Sequence, residues 1–200
     1  MPAAVQRLVS KAGGSLTEAH REAVPGAVLF ADVSGFTALT ERLAAKGPAG
    51  VELLTRTLNT YFGTLIEVLV AHGGDVLKFA GDALLASFAE EPEDGADARR
   101  RAVLRAAACG LAAKKALGGQ QSNEGIALSI KLAVSAGELE CAYVGGVWGR
   151  WELVVFGAPL SDAGRAAERC EPGAVVLAPS AWRLVGRSCL GQELGGGFVR

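Results

Sequence analysis

Two aspartates, Asp32 and Asp82, stand fifty residues apart in settings where a carboxylate asks for a positive partner. Asp32 closes the apolar run 28-VLFA-31 and is followed by Val33-Ser34-Gly35-Phe36-Thr37. Asp82 sits in 74-GDVLKFAGDALL-85, between two short apolar segments. A carboxylate at the end of a buried strand is expensive to desolvate alone. If the first strand is central and the hairpin lies beside it, the two carboxylates converge. Divalent, oxygen-loving cations resolve the repulsion between such a pair. Two of them about 3.5–4 Å apart can activate an attacking oxygen and stabilise a leaving one. Gly35 lets the backbone approach closely, and the amides of Ser34, Gly35, Phe36 and Thr37 open a helix whose positive end attracts phosphate. The plainer reading of the same residues is that Asp32 caps the turn and Asp82 shapes the hairpin.

These groups need elements to hold them. Ala27–Val33 reads as a buried strand, and Thr37–Lys46 as a short helix stopped by Gly47, with Pro48 opening the next. Apolar residues at 51, 54, 58, 61/62, 65 and 69 mark one face of a helix over Ala49–Ala71, with His72 as its cap. Tyr61 and Phe62 read as core. Asp75–Phe79 and Ala83–Phe88 form a hairpin around Ala80-Gly81-Asp82. An acidic loop, Glu90–Asp97, precedes an alanine-rich helix over Ala98–Leu117, whose Arg99–Arg101 run offsets those acids. After the polar connection 118–125, Ile126, Leu128, Ile130, Leu132 and Val134 alternate as a half-buried strand, with Glu138–Val144 expected as its returning partner. Trp148 and Trp151 flank a glycine turn, where they cover an interface or fill the end of the core. Trp151–Phe156 is a strand, Leu160–Glu168 a helix and Ala174–Leu177 a last strand. The order describes an α/β protein (an α+β sandwich) of the ferredoxin-like split βαβ kind, its antiparallel-rich sheet carrying helices on one face. Residues 1–25 read as a leader and 26–200 as one domain, cut at its C-terminus.

Bulk properties exclude several classes. Two hundred residues, half of them hydrophobic, make one full core, and a net charge of −1 leaves no footprint for nucleic acid or a membrane surface. No signal-peptide core and no membrane-length apolar run is present, which points to the cytoplasm. Cys109, Cys141, Cys170 and Cys189 lie far apart with no CxxC pair, and read as buried free thiols.

The segments 31-ADVSGFTALTE-41 and 74-GDVLKFAGDALLASF-88 resemble the class III nucleotidyl cyclase catalytic domain, most of all its soluble, bicarbonate-responsive branch. The similarity runs from about Ala27 to Pro179. It implies that Asp32 and Asp82 hold two Mg²⁺ or Mn²⁺ ions, with the Val33 carbonyl as a further ligand. It also implies attack of the ribose 3′-hydroxyl of ATP on the α-phosphorus, giving cyclic AMP and pyrophosphate. Such chemistry asks the protein mainly to position groups and neutralise charge. Family sites lie at a dimer interface. Lys78 falls at the base-reading lysine, and its partner position is Val154, which has no hydrogen-bonding side chain. Ser161 stands where the family carries a ribose-orienting asparagine, and Arg165 matches the family arginine.

That set resembles the first half of a soluble cyclase tandem, in which Lys78 and Arg165 would take up bicarbonate. Plainer readings are a strand-edge lysine reaching water, and an ion pair of Arg165 with Glu168 or Asp162. The resemblance therefore implies an adenylate cyclase, a phosphorus–oxygen lyase, working as a homodimer or with a second cyclase domain in the same or another chain. The alternative is a metal-donating, regulatory half that binds nucleotide or bicarbonate and needs a complementary half to turn over. A GTP-using enzyme is disfavoured because Lys78 suits adenine N1. Neither nucleic acid nor a membrane is expected as a partner.

Overall fold

A computed structural model describes residues 6, 18–118 and 128–200 of the chain. Most of the expected leader, the 118–125 connection past Gly118 and positions 126–127 lie outside the described residues. The chain opens with β1 (His20–Ser34), then α1 (Phe36–Ala44) and α2 (Pro48–Ala71). The hairpin β2 (Asp75–Ala80) and β3 (Ala83–Ala89) leads through a 3₁₀ segment, Pro92–Asp97, into α3 (Ala98–Leu117). Then come β4 (Ser129–Gly145), β5 (Trp151–Phe156), α4 (Ala158–Glu168) and β6 (Val175–Leu177). The chain finishes with α5 (Pro179–Val185), β7 (Glu193–Gly195) and β8 (Phe198–Val199).

Among the described residues these strands make one sheet in the order β2-β3-β1-β4-β6-β8-β7, and β5 also pairs with β4. The first strand is central and the hairpin lies against it, as the sequence predicts. β1 begins at His20, which pairs with Tyr143, so the last residues of the segment read as a leader are sheet. The expected hairpin between 126–134 and Glu138–Val144 is instead one strand, β4, seventeen residues long. Its alternation never breaks: even residues Ile130 to Ala136 face one side, and odd residues Ala133, Leu139, Cys141 and Tyr143 the other. Gly137, between the two expected strands, stays in β4 at φ 152°, opposite Gly26 at the same angle. A Cβ on Gly137 would fall 2.8 Å from Pro159, so this glycine lets α4 seat against the strand.

Helices cover both faces, not one. Ala27, Leu29, Ala31 and Val33 of β1 face a core shared with α1, α2, α3 and α5, where Leu39, Leu43, Tyr61, Leu65, Ala106 and Val185 are buried. Val28 and Phe30 face the other side, where α4 packs through Ala163 and Ala166. α4 begins only after β5 leaves the sheet, and its buried stripe of Pro159, Ala163 and Ala166 matches that second face. β1 therefore has both faces buried along its middle while its even-numbered end, at Asp32, emerges beside the open part of the second face. α5 and the β7–β8 hairpin were not legible in the sequence: the helix is seven residues long and the strands three and two. Phe198 and Val199 are buried, and Val199 pairs with Leu177.

The arginine run behaves as read. Arg99 pairs with Glu90 (2.5 Å) and Arg101 with Asp94 (3.0 Å), tying the acidic segment to α3. His72 is the C-cap of α2. Cys109, Cys141 and Cys170 are buried free thiols, and Cys189 is half-buried. Trp151 is half-buried, whereas Trp148 is 90% exposed and fills no core.

Candidate active site

Asp32 is placed by register. It lies opposite Ala83 of β3 on one side and Lys131 of β4 on the other. Asp82 occupies the β2–β3 turn, whose backbone is drawn to β1 by a hydrogen bond from the Val33 amide to the Asp82 carbonyl at 3.4 Å. The two carboxylates thus share one end of the sheet. Burial pushes the Asp32 carboxyl above the usual carboxylate range, Asp82 raises it further, and Lys131 draws it back. Two acids brought to one end of the sheet, one of them with its proton affinity raised, form a site for positive charge. Carboxylate oxygens are the donors that Mg²⁺ and Mn²⁺ prefer. Among the described residues no third His, Cys, Asp or Glu joins them to make a three-ligand cluster. A cation there would complete its shell from backbone carbonyl, water or substrate oxygens, as Mg²⁺ commonly does.

Next to the acids, the strand turns into a helix. Gly35 adopts φ 94°, the left-handed conformation that glycine reaches without strain, and serves as N-cap of α1. The Leu39 amide donates to the Gly35 carbonyl (3.1 Å), the first bond of the helix. The earlier amides have no intrahelical acceptor. No side chain caps this end and its first turn holds no acid, so its positive end is open to an anion beside the aspartates. Ser34 ends β1 opposite Ser129, Phe36 opens the helix, and Thr37 is exposed. Val33, by contrast, is buried in the helical core. Only its backbone faces the site.

The remaining candidates stand apart from this cluster. A bulge between Val76 and Lys78 places Lys78 opposite Leu85, on the same sheet face as Asp32 but two strands out, and exposed. Val154 is 44% exposed on β5, opposite Ala142. Ser161 and Arg165 lie exposed on α4. Arg165 pairs with Asp162, one turn back on its own helix, which is one of the plainer readings of that residue. Among the described residues, the charges that shift Asp32 are Asp82 and Lys131, and Arg165 is not one of them. Lys131 was missed from the sequence. Its signal is faint: a lysine in the polar phase of the alternating strand, whose meaning depends on a β1–β4 register that residues alone do not set.

The fold is that of a nucleotidyl cyclase domain. The family model for the adenylate and guanylate cyclase catalytic domain matches residues 19–192, and the chain belongs to that family. Within it, the chain is 33% identical over 170 residues to adenylate cyclase type 10 of Oryctolagus cuniculus, covering 84% of this chain and 10% of that protein. The human protein of the same name is 30% identical over the same length. The chain thus spans about a tenth of the length of these relatives. Among solved structures, the adenylyl cyclase CyaB from P. aeruginosa superposes with a TM-score of 0.69 at 24% identity, covering 90% of this chain and 88% of that one. The guanylate cyclase domain of RhGC from Catenaria anguillulae, in complex with GTP, gives 0.68 at 19% identity, covering 92% and 95%. Both likenesses carry the fold. Among the described residues no helix is long and apolar enough to cross a membrane.

Proposed function

We propose that the chain is an adenylyl cyclase catalytic domain, converting ATP to 3′,5′-cyclic AMP and pyrophosphate at a dimer interface in the cytoplasm. The observation that carries this is the convergence of Asp32 and Asp82 beside the uncapped start of α1. Asp32, Asp82 and the Val33 carbonyl would hold two divalent ions, Mg²⁺ or Mn²⁺. Such ions supply charge neutralisation and make the ribose 3′-hydroxyl easier to deprotonate. The amides of Ser34, Gly35, Phe36 and Thr37 hold the phosphate chain at the helix start. Lys131 brings a fixed ammonium to the same end of the sheet, where it offsets phosphate charge. Arg165, offered by a second domain, steadies the charge that develops on the phosphates in the transition state. The adenylate cyclase relatives favour ATP over GTP, and Lys78 suits the adenine edge. Buried free thiols suit a reducing compartment.

A second reading rests on Val154 and Ser161. Both side chains are exposed where a base and a ribose need polar partners, and Val154 offers none. On this reading the chain is the metal-donating half and needs a complementary cyclase half. Lys78 and Arg165 then form an anion pocket for bicarbonate, which has to displace Asp162 from Arg165. The test is to incubate the chain alone with Mn²⁺ and ATP, or GTP, with and without bicarbonate, and to measure cyclic nucleotide. Cyclic AMP in excess of cyclic GTP, rising with the square of dilute protein, supports the homodimeric enzyme. Metal-dependent ATP binding without product supports the incomplete half. Neither binding nor product refutes both.

A further inference from the structure

In the hairpin that carries Asp82, β3 is buried against β1, whereas the β2 side and the tip are lightly held. Lys78, Phe79, Ala80, Gly81 and Asp82 are exposed or half-exposed, and β2 is the edge strand of the sheet. Its register is broken by the bulge between Val76 and Lys78, just before the tip. The tip meets β1 through the long 3.4 Å bond from the Val33 amide to the Asp82 carbonyl. Behind it an open groove of about 420 Å³ runs between α2 and β2, with Ile66, Val70 and Phe79 in its wall. Yet this tip carries the Asp82 carboxylate to the end of β1 where Asp32 stands, and like charges brought together repel. Something has to oppose that repulsion.

One contact from the helix layer is placed to do so. Phe79, three residues before Asp82, lies opposite Leu84 and therefore on the helix side of the hairpin. Its ring stands edge-on to Phe62 of α2, with centroids 5.5 Å apart and planes at 83°. That is a favoured geometry for two aromatic quadrupoles. Phe62 in turn stands edge-on to the buried Tyr61 (6.2 Å, 83°) and packs against the main core. Phe79 is itself 46% exposed, and the Phe62 ring is its aromatic contact with α2.

We propose that Phe62 is a positioning residue for the metal site: through Phe79 it latches the β2–β3 hairpin to α2 and so keeps the Asp82 carboxylate beside Asp32. This rests on the reading of Asp32 and Asp82 as metal ligands. The latch works through ring-edge geometry, so a leucine of similar volume at position 62 fills the space without restoring it.

The test uses the full chain and four variants: Phe62→Leu, Phe79→Leu, the double variant, and Asp82→Asn. Two quantities are read besides melting temperature: hydrogen exchange of the hairpin amides without metal, and Mn²⁺ affinity by the loss of the free-ion paramagnetic resonance signal. Phe62→Leu and Phe79→Leu are each expected to speed exchange over 78–83 and to weaken Mn²⁺ binding about three- to tenfold. The double variant is expected to be no worse than either alone, because the two rings act as one contact. Unchanged hairpin exchange in Phe62→Leu overturns the latch, as does unchanged Mn²⁺ affinity alongside a large loss for Asp82→Asn. Additive losses in the double variant also overturn it, since a general packing defect is additive. The metal reading fails separately, if wild type and Asp82→Asn bind Mn²⁺ equally; faster hairpin exchange in Phe62→Leu would then leave the latch as an anchor for a hairpin of other use.

Discussion

Mixing two inactive chains tests the shared site directly. Asp82→Ala removes a carboxylate from the exposed hairpin tip, and Arg165→Ala removes an exposed guanidinium from α4. Neither side chain is buried, so both variants should fold. Within one chain, Arg165 is held by Asp162, and among the described residues the charges that shift Asp32 are Asp82 and Lys131. On the proposed reading, the arginine that serves the reaction comes from a second copy. Each variant alone is expected to lose at least about 100-fold in kcat, the usual cost of removing a preorganised charge. In an isologous dimer each copy completes the other's site. At equal amounts, random pairing makes about half the dimers mixed, and each mixed dimer has one intact site of two. The mixture should then recover about a quarter of wild-type turnover. The assay is cyclic AMP formation with Mn²⁺ and saturating ATP, for each variant separately and together after equilibration. A mixture no more active than the sum of its parts refutes site-sharing between copies of this chain.

Other expectations come from the core and from titration. Tyr61 is 2% exposed with no hydrogen-bond partner for its hydroxyl among the described residues, and burial pushes its pKa up to about 12. Tyr61→Phe should therefore stabilise the chain by about 1 kcal/mol, a rise of about 2–4 °C in melting temperature, and a loss would reveal a partner for the hydroxyl. Asp32 has its proton affinity raised in the fold, so the folded state binds more protons just above the ordinary carboxylate range. Its contribution is fully present below the unfolded-state value and is lost as pH rises through the folded one. Metal-free chain should accordingly lose stability across that window, Asp32→Asn should flatten the trend, and an unchanged pH profile in the variant would contradict the coupling. At Gly50 a Cβ would fall 1.8 Å from the Leu43 carbonyl oxygen, whereas at Gly63 nothing lies within 4 Å. Gly50→Ala should cost about 3 kcal/mol and Gly63→Ala should gain about 0.5–1 kcal/mol, in denaturant titrations of two variants on the same helix.

Much of this protein was legible from residue order. The strand ending at Asp32, the Gly47-Pro48 boundary, the long helix to Ala71 and the hairpin around Asp82 all follow from local rules: period, caps and turn residues. Those rules act over a few neighbours, which is why the β2–β3 hairpin and α3 were read to within about a residue or two. They fail where a local signal has a non-local cause. The run to Val134 and Glu138–Val144 read as two strands of a hairpin; in the fold they are one, and Gly137 between them is the place where Pro159 of α4 presses on β4. The side on which α4 packs was likewise invisible, since a stripe of small residues does not say which face of a sheet it meets.

The candidate site divides in the same way. Residue types alone singled out Asp32, Asp82 and the Ser34–Thr37 turn, because acids at strand ends and glycine before a helix are chemically conspicuous. Register then decided what surrounds them. It put Lys131 opposite Asp32, and it set Lys78 two strands away through a bulge. The folded chain also paired Arg165 with Asp162 and stood Phe62 against Phe79. Sequence carries the identity of each group and the period of the element beneath it. Distance between groups far apart in the chain is set only when strands pair and helices pack, since a one-residue slip of β4 against β1 would turn Lys131 to the opposite face.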